Sequence, residues 1–122
     1  MNKQLKVVLV GLPGSGKSTF GRQLAKEMGF PFLDLDQLIE ERYQLKISDI
    51  FSIHGEGTFR EWESLVLQDT LKQDRAYILA SGGGTPCFND NMDLINSQGI
   101  SVYLDVPLGS ISRRLQTSKA QQ

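Results

Sequence analysis

Short apolar runs alternate along the chain with longer stretches in which apolar residues recur every three or four positions. The short runs predict strands, and the longer stretches predict helices. The predicted strands are 5–10, 32–33, 76–80 and 100–104, and the predicted helices are 17–28, 37–43, 48–53, 58–72, 90–95 and 108–115. Strands that alternate with helices are typical of a parallel sheet covered on both faces. The pattern therefore predicts an α/β fold with three layers around a central parallel sheet.

Glycine and small polar residues mark the ends of these helices. Gly29 is predicted to end the first helix, Ser48 to cap the third, and Asn89 or Asp90 to cap the fifth. Gly55 and Gly57 separate the third and fourth helices. Helical spacing predicts an inward stripe of Phe20, Leu24 and Met28 on the first helix, and of Phe59, Trp62, Leu65, Val66 and Leu71 on the fourth.

The strongest chemical signal follows the first predicted strand. Residues 11–18 read GLPGSGKS, which matches the pattern G-x-x-x-x-G-K-[ST] between a strand and a helix. Backbone amides in such a loop bind phosphate oxygens, the lysine reaches the β- and γ-phosphates, and the hydroxyl can ligate Mg²⁺. The motif predicts a nucleoside triphosphate site formed by Gly14, Ser15, Gly16, Lys17, Ser18 and Thr19.

Two carboxylates follow the second predicted strand, at Asp34 and Asp36. Near a triphosphate, one carboxylate can hold Mg²⁺ directly or through water, and the other can accept a hydroxyl proton from the acceptor. The alternative is structural, because an Asp-x-Asp pair before a helix also supplies an N-cap and a first-turn acid. The third strand ends without an acid, which favours Asp34 as the metal-binding carboxylate.

Three glycines, Gly82, Gly83 and Gly84, follow the third predicted strand. One glycine would suffice for a turn, so three in a row suggest that a ligand approaches bare backbone whose amides act as donors. A flexible turn is the alternative. Because ligands of open α/β sheets bind beyond the carboxyl ends of the strands, these three strand ends predict one site.

Arg60 lies near the start of the long predicted helix and could bind a substrate carboxylate through its planar guanidinium. Taken by itself, a surface arginine paired with Glu56, Glu63 or Ser64 is the favoured interpretation. Cys87 is expected to be a bystander thiol rather than a reactive one.

Composition narrows the possible partners and compartment. The 122 residues predict one domain, and a net charge of −1 gives no sign of a nucleic acid or membrane partner. No apolar run is long enough to span a bilayer, and the single cysteine cannot form an internal disulfide. We therefore expect a cytoplasmic protein. The polar end of the chain after 108–115 suggests that the natural protein continues beyond Gln122.

The combined motifs resemble the shikimate kinase family, in the nucleoside-monophosphate-kinase branch of phosphate-loop proteins. The matching segments are GLPGSGKST at 11–19, FLDLD at 32–36, DIFSIHGEGTFREWE at 49–63 and SGGGTPC at 81–87. The resemblance implies transfer of the γ-phosphate of ATP to the 3-hydroxyl of shikimate, in a single kinase domain over residues 1–122 that is expected to act as a monomer.

The resemblance also implies roles for individual residues. Lys17, Ser18 and the loop amides would hold ATP and Mg²⁺, with Asp34 on the metal through water. Asp36 would contact the shikimate hydroxyls and act as the base, and Arg60 would bind the carboxylate. The glycines 82–84 would line the site between shikimate and the γ-phosphate, and Phe51 and Phe59 would flank the ring.

One departure from the family concerns the C-terminal part. The family has a lid that begins with an arginine, a second carboxylate-binding arginine and an adenine-contacting loop, none of which lies within residues 1–122. Two other functions therefore stay open: another small-molecule kinase of the same branch, such as a gluconate or nucleotide kinase, and a nucleotide-binding module without activity.

Overall fold

The structure is a computed structural model that describes residues 5–11, 16–104 and 115–117. Its elements are β1 (Lys6–Gly11), α1 (Lys17–Met28), β2 (Phe32–Asp34), α2 (Leu35–Tyr43), α3 (Ile47–Lys72), β3 (Tyr77–Ala80), a 3₁₀ turn (Thr85–Cys87), α4 (Asn91–Gln98), β4 (Ile100–Leu104) and β5 (Leu115–Thr117). The alternation of strands and helices is as predicted.

The strands form one sheet in the order β2-β3-β1-β4-β5. The strands β1 to β4 are parallel to one another, which confirms the predicted parallel sheet. The fifth strand, β5, pairs antiparallel with β4. The helix predicted at 108–115 is wrong at its last residue, because Leu115 pairs with Leu104 in the sheet. The rest of that prediction lies outside the described residues.

Helices cover both faces of the sheet, as the continuous apolar strands require. Every residue of β1 is buried, and alternate side chains enter two different clusters. Val8 and Val10 pack with residues of α2, α3 and α4, whereas Val7 and Leu9 pack with Ala25 of α1. This two-sided burial confirms the three-layer architecture.

The two helices predicted around Gly55 form one kinked helix, α3. Gly55 has φ 88° and ψ 166°, which interrupts the helical backbone as the sequence predicted. The start differs from the prediction, because α3 begins at Ile47 and Ser48 is not its cap. The Glu40 side chain from α2 accepts a hydrogen bond of 2.8 Å from the Ile47 amide instead. A carboxylate distant in sequence therefore replaces the local cap.

Other helix predictions hold at most positions. Gly29 follows α1 with φ 73°, and Asp90 occupies the N-cap position of α4 without a capping hydrogen bond from its side chain. Two predicted inward residues are exposed: Met28 at the end of α1 and Leu65, which is 45% exposed on α3. Phe59, Val66 and Leu71 are buried as predicted, and Trp62 packs against the same cluster.

Among residues 5–11, 16–104 and 115–117, no helix combines the length and apolar character that a membrane span requires.

Candidate active site

The register of the sheet brings three strand ends together. Leu9 of β1 and Asp34 of β2 both pair with Ala80 of β3, so the residues that follow these strands emerge at one edge. The edge opens into a cavity of about 410 Å³. Its lining comes from all three strand ends: Gly16, Lys17, Ser18, Thr19, Asp34, Asp36, Ala80, Ser81, Gly82 and Gly83. The prediction that these segments meet is confirmed.

The described part of the phosphate-loop motif lies at the N-terminus of α1. Gly16 has φ 85°, a left-handed conformation that suits glycine, and no side chain caps the helix. The first-turn amides of α1 therefore face the cavity side without a side-chain cap, as an anion site requires. Gly14 and Ser15, two of the predicted phosphate-binding residues, lie outside the described part of the chain.

Lys17 is half-buried, and its Nζ donates a hydrogen bond of 2.8 Å to the Gly11 carbonyl. Gly11 itself cannot carry a side chain, because a Cβ would lie 2.2 Å from the Leu104 carbonyl oxygen. Burial lowers the pKa of Lys17, and the negative charges of Asp36 and Asp34 oppose this effect. The ammonium group is thus held against the last residue of β1.

Asp34 fills the structural role considered from the sequence, the N-cap of α2. Its Oδ1 caps α2 by accepting hydrogen bonds from the amides of Asp36 (3.0 Å) and Gln37 (3.3 Å). Its Oδ2 accepts a hydrogen bond of 3.4 Å from Ser18 Oγ. Asp34 Oδ2 and Ser18 Oγ therefore lie together on the phosphate side of the site. The strand ends at Asp34, and Asp36 lies in the first helical turn rather than on an extended strand.

Asp36 lines the same cavity as Lys17. Burial is the largest cause that raises the pKa of its carboxyl, and the carboxylates of Asp34, Glu63 and Glu40 raise it further. Lys17 opposes these effects. A half-buried carboxyl with a raised pKa is a stronger base than an ordinary aspartate and is a candidate for proton transfer.

Arg60 lies on α3 and is mostly enclosed, with 18% of its side chain exposed. Its Nη1 donates a hydrogen bond of 3.0 Å to Oε1 of Glu63, which is fully buried. Its Nε lies 3.5 Å from Glu56 Oε2, but it forms no hydrogen bond and is a buried donor without an acceptor among the described atoms. The predicted partners Glu56 and Glu63 are confirmed, but the description of Arg60 as a surface residue is wrong.

Aromatic rings pack around Arg60. Its Cζ lies 4.1 Å from the ring centroid of Phe88 and 5.1 Å from that of Phe59. Phe59 in turn contacts Phe51 with ring centroids 4.6 Å apart, and Phe51 is partly exposed while Phe59 is buried. Phe59 and Phe88 flank the guanidinium, and Phe51 presents an apolar edge to solvent.

The glycine segment 82–84 lies between the two charged parts of the site. A Cβ on Gly82 would lie 3.1 Å from Asp36 Oδ1, and a Cβ on Gly84 would lie 2.8 Å from Arg60 Nη2. A side chain at either position would crowd these protein side chains, and the predicted approach of a ligand to the glycines stays a prediction. The Gly82 amide is not free for a ligand, because it donates a hydrogen bond of 2.9 Å to Thr85 Oγ1.

A second cavity of about 490 Å³ adjoins Arg60 and is lined by Glu56, Gly57, Arg60, Glu61, Phe88 and Asn89. Sequence reasoning missed Phe88 and Thr85, and it named Glu63 as a partner of Arg60 without predicting that Glu63 is buried. Glu63 stands three positions after Arg60 on a helix, which is a recognisable ion-pair spacing, but nothing local indicates that it is buried. Phe88 and Thr85 approach Arg60 and Glu63 only through the tertiary fold.

The fold and the three strand ends define an α/β protein of the phosphate-loop, nucleoside-monophosphate-kinase-like class. Within this class, the family model for shikimate kinase matches residues 13–121. The chain therefore belongs to the shikimate kinase family.

Individual relatives support this assignment. The chain is 40% identical over 118 residues to a shikimate kinase of Bacteroides fragilis, and 43% identical over 114 residues to one of Parabacteroides distasonis. These matches cover 97% and 93% of this chain, and the chain spans 65% of the length of each relative.

Solved structures agree with the sequence matches. A shikimate kinase from Acinetobacter baumannii, solved in complex with shikimate, has a TM-score of 0.81 and 39% identity, over 85% of this chain and 57% of that chain. A shikimate kinase from Bacteroides thetaiotaomicron has a TM-score of 0.78 and 37% identity, over 81% of this chain and 56% of that chain.

Proposed function

We propose that the protein transfers the γ-phosphate of ATP to the 3-hydroxyl of shikimate. Membership of the shikimate kinase family and the structural likeness to an enzyme solved with shikimate support this proposal. The observation that carries it is the guanidinium of Arg60, which lines a cavity of about 490 Å³. A planar guanidinium in a cavity wall is suited to bind a carboxylate, which shikimate provides.

On the phosphate side, we assign ATP to the N-terminus of α1. The uncapped amides of α1, together with the loop amides and Lys17, would bind the phosphate oxygens. ATP supplies the transferable phosphoryl group, and Mg²⁺ shields its charge. Ser18 Oγ and Asp34 Oδ2 face each other at 3.4 Å and would hold Mg²⁺, with Asp34 acting through water.

This donor set fits magnesium better than a cation that needs a full protein cage. The described residues contain no group of three or more His, Cys, Asp or Glu side chains that could hold a metal. Mg²⁺ usually keeps several waters and takes only one or two protein ligands together with substrate phosphates. A hydroxyl and a carboxylate are therefore sufficient.

On the acceptor side, Asp36 would accept the proton from the 3-hydroxyl, and its raised pKa makes it a stronger base than an ordinary aspartate. Arg60 would bind the carboxylate, the glycines 82–84 would allow the ring to approach, and Phe51 and Phe59 would flank it. The single kinase domain, the monomeric state and the cytoplasmic location stay predictions.

The test is a substrate panel on the full-length protein with ATP and Mg²⁺. Shikimate, gluconate and nucleoside monophosphates are compared by coupled measurement of ADP release. Phosphorylation of shikimate at a kcat/KM at least a hundredfold above the other acceptors is expected. Preference for gluconate or a nucleotide would indicate a different kinase of the branch, and ATP binding without turnover would indicate an inactive module.

A further inference from the structure

A buried chain of hydrogen bonds runs behind the glycine segment. Thr85 is fully buried, and its hydroxyl accepts the 2.9 Å hydrogen bond from the Gly82 amide. The same hydroxyl donates a hydrogen bond of 2.7 Å to Glu63 Oε2, while Glu63 Oε1 accepts from Arg60. The backbone of the glycine segment and the guanidinium are thus joined through two buried side chains.

A second tether fixes the same residue through its backbone. Asn91 Nδ2 donates a hydrogen bond of 2.9 Å to the Thr85 carbonyl, and Asn91 Oδ1 accepts one of 3.0 Å from Ser64 Oγ. Asn91 and Ser64 are both buried. Two consecutive residues of α3 therefore hold Thr85. Glu63 binds its hydroxyl directly, and Ser64 acts on its carbonyl through Asn91.

The guanidinium of Arg60 lies close against the glycine segment. The place where a Gly84 side chain would begin lies 2.8 Å from Arg60 Nη2. The absence of a side chain at Gly84 therefore allows this close approach. Within the part of the chain that the structure describes, the chain through Thr85 and Glu63 connects both sides by hydrogen bonds of 3.0 Å or less.

We propose that Thr85 is a positioning residue for the acceptor site, which holds the glycine segment 82–84 and Arg60 in one geometry through Glu63. The proposal rests on the proposed function, because Arg60 is taken there as the carboxylate-binding group. Thr85 does not line either cavity described above, and it acts only through its neighbours. Its effect is therefore expected in acceptor binding rather than in ATP binding.

The test compares two substitutions in the full-length protein. Thr85→Val keeps the shape but removes the hydroxyl, and Thr85→Ser keeps the hydroxyl. We expect Thr85→Val to raise the KM for shikimate by about tenfold or more, with the KM for ATP changed less than about twofold. Thr85→Ser is expected to stay within about threefold of the wild type for both substrates.

Thr70→Val is the matched control. Thr70 is buried like Thr85 but lies on α3, and its hydroxyl donates a hydrogen bond to the Val66 carbonyl of the same helix. It lies ten residues from Arg60, or about 15 Å along the helix axis. We expect this variant to lose stability without a change in the KM for shikimate. If Thr85→Val behaves like Thr70→Val, with lower stability and unchanged KM values, the positioning proposal is wrong.

A nuclear magnetic resonance measurement separates this proposal from the proposed function. The Arg60 Nε–H signal and the Gly82 amide exchange rate are followed without any substrate. Thr85→Val should shift the Arg60 signal and speed exchange at Gly82 by about tenfold or more, while Thr85→Ser and Thr70→Val should not. An unchanged Arg60 signal in Thr85→Val would refute the proposed coupling of Thr85 to Arg60 through Glu63. A wild-type protein without shikimate phosphorylation would refute the proposed function only.

Discussion

The two halves of the site are built differently. The phosphate half comes from one continuous segment around the start of α1, together with Asp34 at the end of β2. Its side chains are half-buried or exposed, and Lys17 makes its hydrogen bond to the nearby Gly11 carbonyl. Few tertiary contacts of the core depend on these side chains.

The acceptor half is assembled from residues that are distant in sequence. Arg60 and Glu63 lie on α3, the glycines follow β3, and Phe88 and Asn91 lie near the start of α4. Glu63 and Asn91 are almost completely buried and take part in a continuous set of hydrogen bonds. Buried polar groups are costly when they lose a partner.

This difference predicts which substitutions reduce activity alone and which reduce both activity and stability. Changes in the phosphate half should reduce phosphoryl transfer and leave the fold intact. Changes to the buried ion pair of Arg60 and Glu63 in the acceptor half should weaken acceptor binding and destabilise the fold together. We expect this contrast in the full-length protein.

Lys17→Met should have the largest effect, a loss of phosphoryl transfer on the order of a thousandfold or more, because it removes a charge that stabilises the transition state. The melting temperature should stay the same or rise slightly. Burial lowers the pKa of Lys17, so its charged form is less favourable in the folded than in the unfolded state.

Lys26→Met is the control for this prediction, since Lys26 is an exposed lysine in the last turn of the same helix. It should keep wild-type turnover. Wild-type turnover in Lys17→Met would show that the phosphate-loop assignment is wrong, and a large loss of stability would contradict the description of the phosphate half.

Asp36→Asn should lower kcat by roughly a hundredfold or more while ATP binding changes little, because an amide cannot accept the hydroxyl proton. In the wild type, kcat/KM should rise with pH as Asp36 ionises, at a pH above the ordinary aspartate range because its pKa is raised. The variant should lack this rise. Exposed Asp93 offers the control Asp93→Asn.

The same substitution gives a stability prediction with a definite sign. Since the pKa of Asp36 is raised in the folded state, ionisation of this carboxyl destabilises the fold at neutral pH. Asp36→Asn should therefore melt above the wild type at pH 7. The difference should disappear below the ordinary aspartate pKa, where the wild-type carboxyl is protonated in both states. Equal melting temperatures at pH 7 would contradict the assigned burial.

The contrast between the halves also explains which parts of the fold and of the site could be predicted from the sequence. The phosphate half was predictable because its motif is contiguous and each residue type has a local chemical reason. The sheet and most helix ends were predictable for the same reason, since apolar periodicity and Gly29 or Gly55 act locally.

The acceptor half was only partly predictable. Arg60 was found as a candidate, but its burial depends on Phe88, Glu63 and the glycine segment, which meet only in the folded protein. Ser48 was a false cap for a related reason, because Glu40 of a neighbouring helix binds the first amide of α3. Leu115 was assigned to a helix because helical and strand patterns are hard to separate in a short segment, and pairing with β4 decides it.

Arg60→Ala should raise the KM for shikimate by roughly tenfold to a hundredfold, the loss of one charge-assisted pair. It should also lower the free energy of unfolding by about 3 kcal/mol, because the buried Glu63 carboxylate loses its cation. Arg60→Lys should restore little of the KM, since a point charge does not reproduce the planar guanidinium.

Arg42→Ala is the matched control for Arg60→Ala. Arg42 forms an ion pair of 2.7 Å with Asp69, but the two side chains are 40% and 53% exposed. Its removal should cost less than about 1 kcal/mol and leave the KM values unchanged. Equal stability losses in Arg42→Ala and Arg60→Ala would remove the distinction between the two halves, and an unchanged shikimate KM in Arg60→Ala would remove the support for an anionic acceptor.

Asp34→Asn should have the smallest effect, which should be an increase in the Mg²⁺ concentration that activity requires. Asparagine caps a helix about as well as aspartate, so α2 should keep its N-terminus and the melting temperature should change little. The neutral amide should weaken Mg²⁺ binding, so that about tenfold more Mg²⁺ is needed for half-maximal activity. Saturating Mg²⁺ should then recover most of the turnover, whereas Asp36→Asn should not recover. A variant that stays inactive at all Mg²⁺ concentrations would show that Asp34 does more than hold the metal, and a marked loss of stability would show that asparagine does not replace Asp34 as the cap of α2.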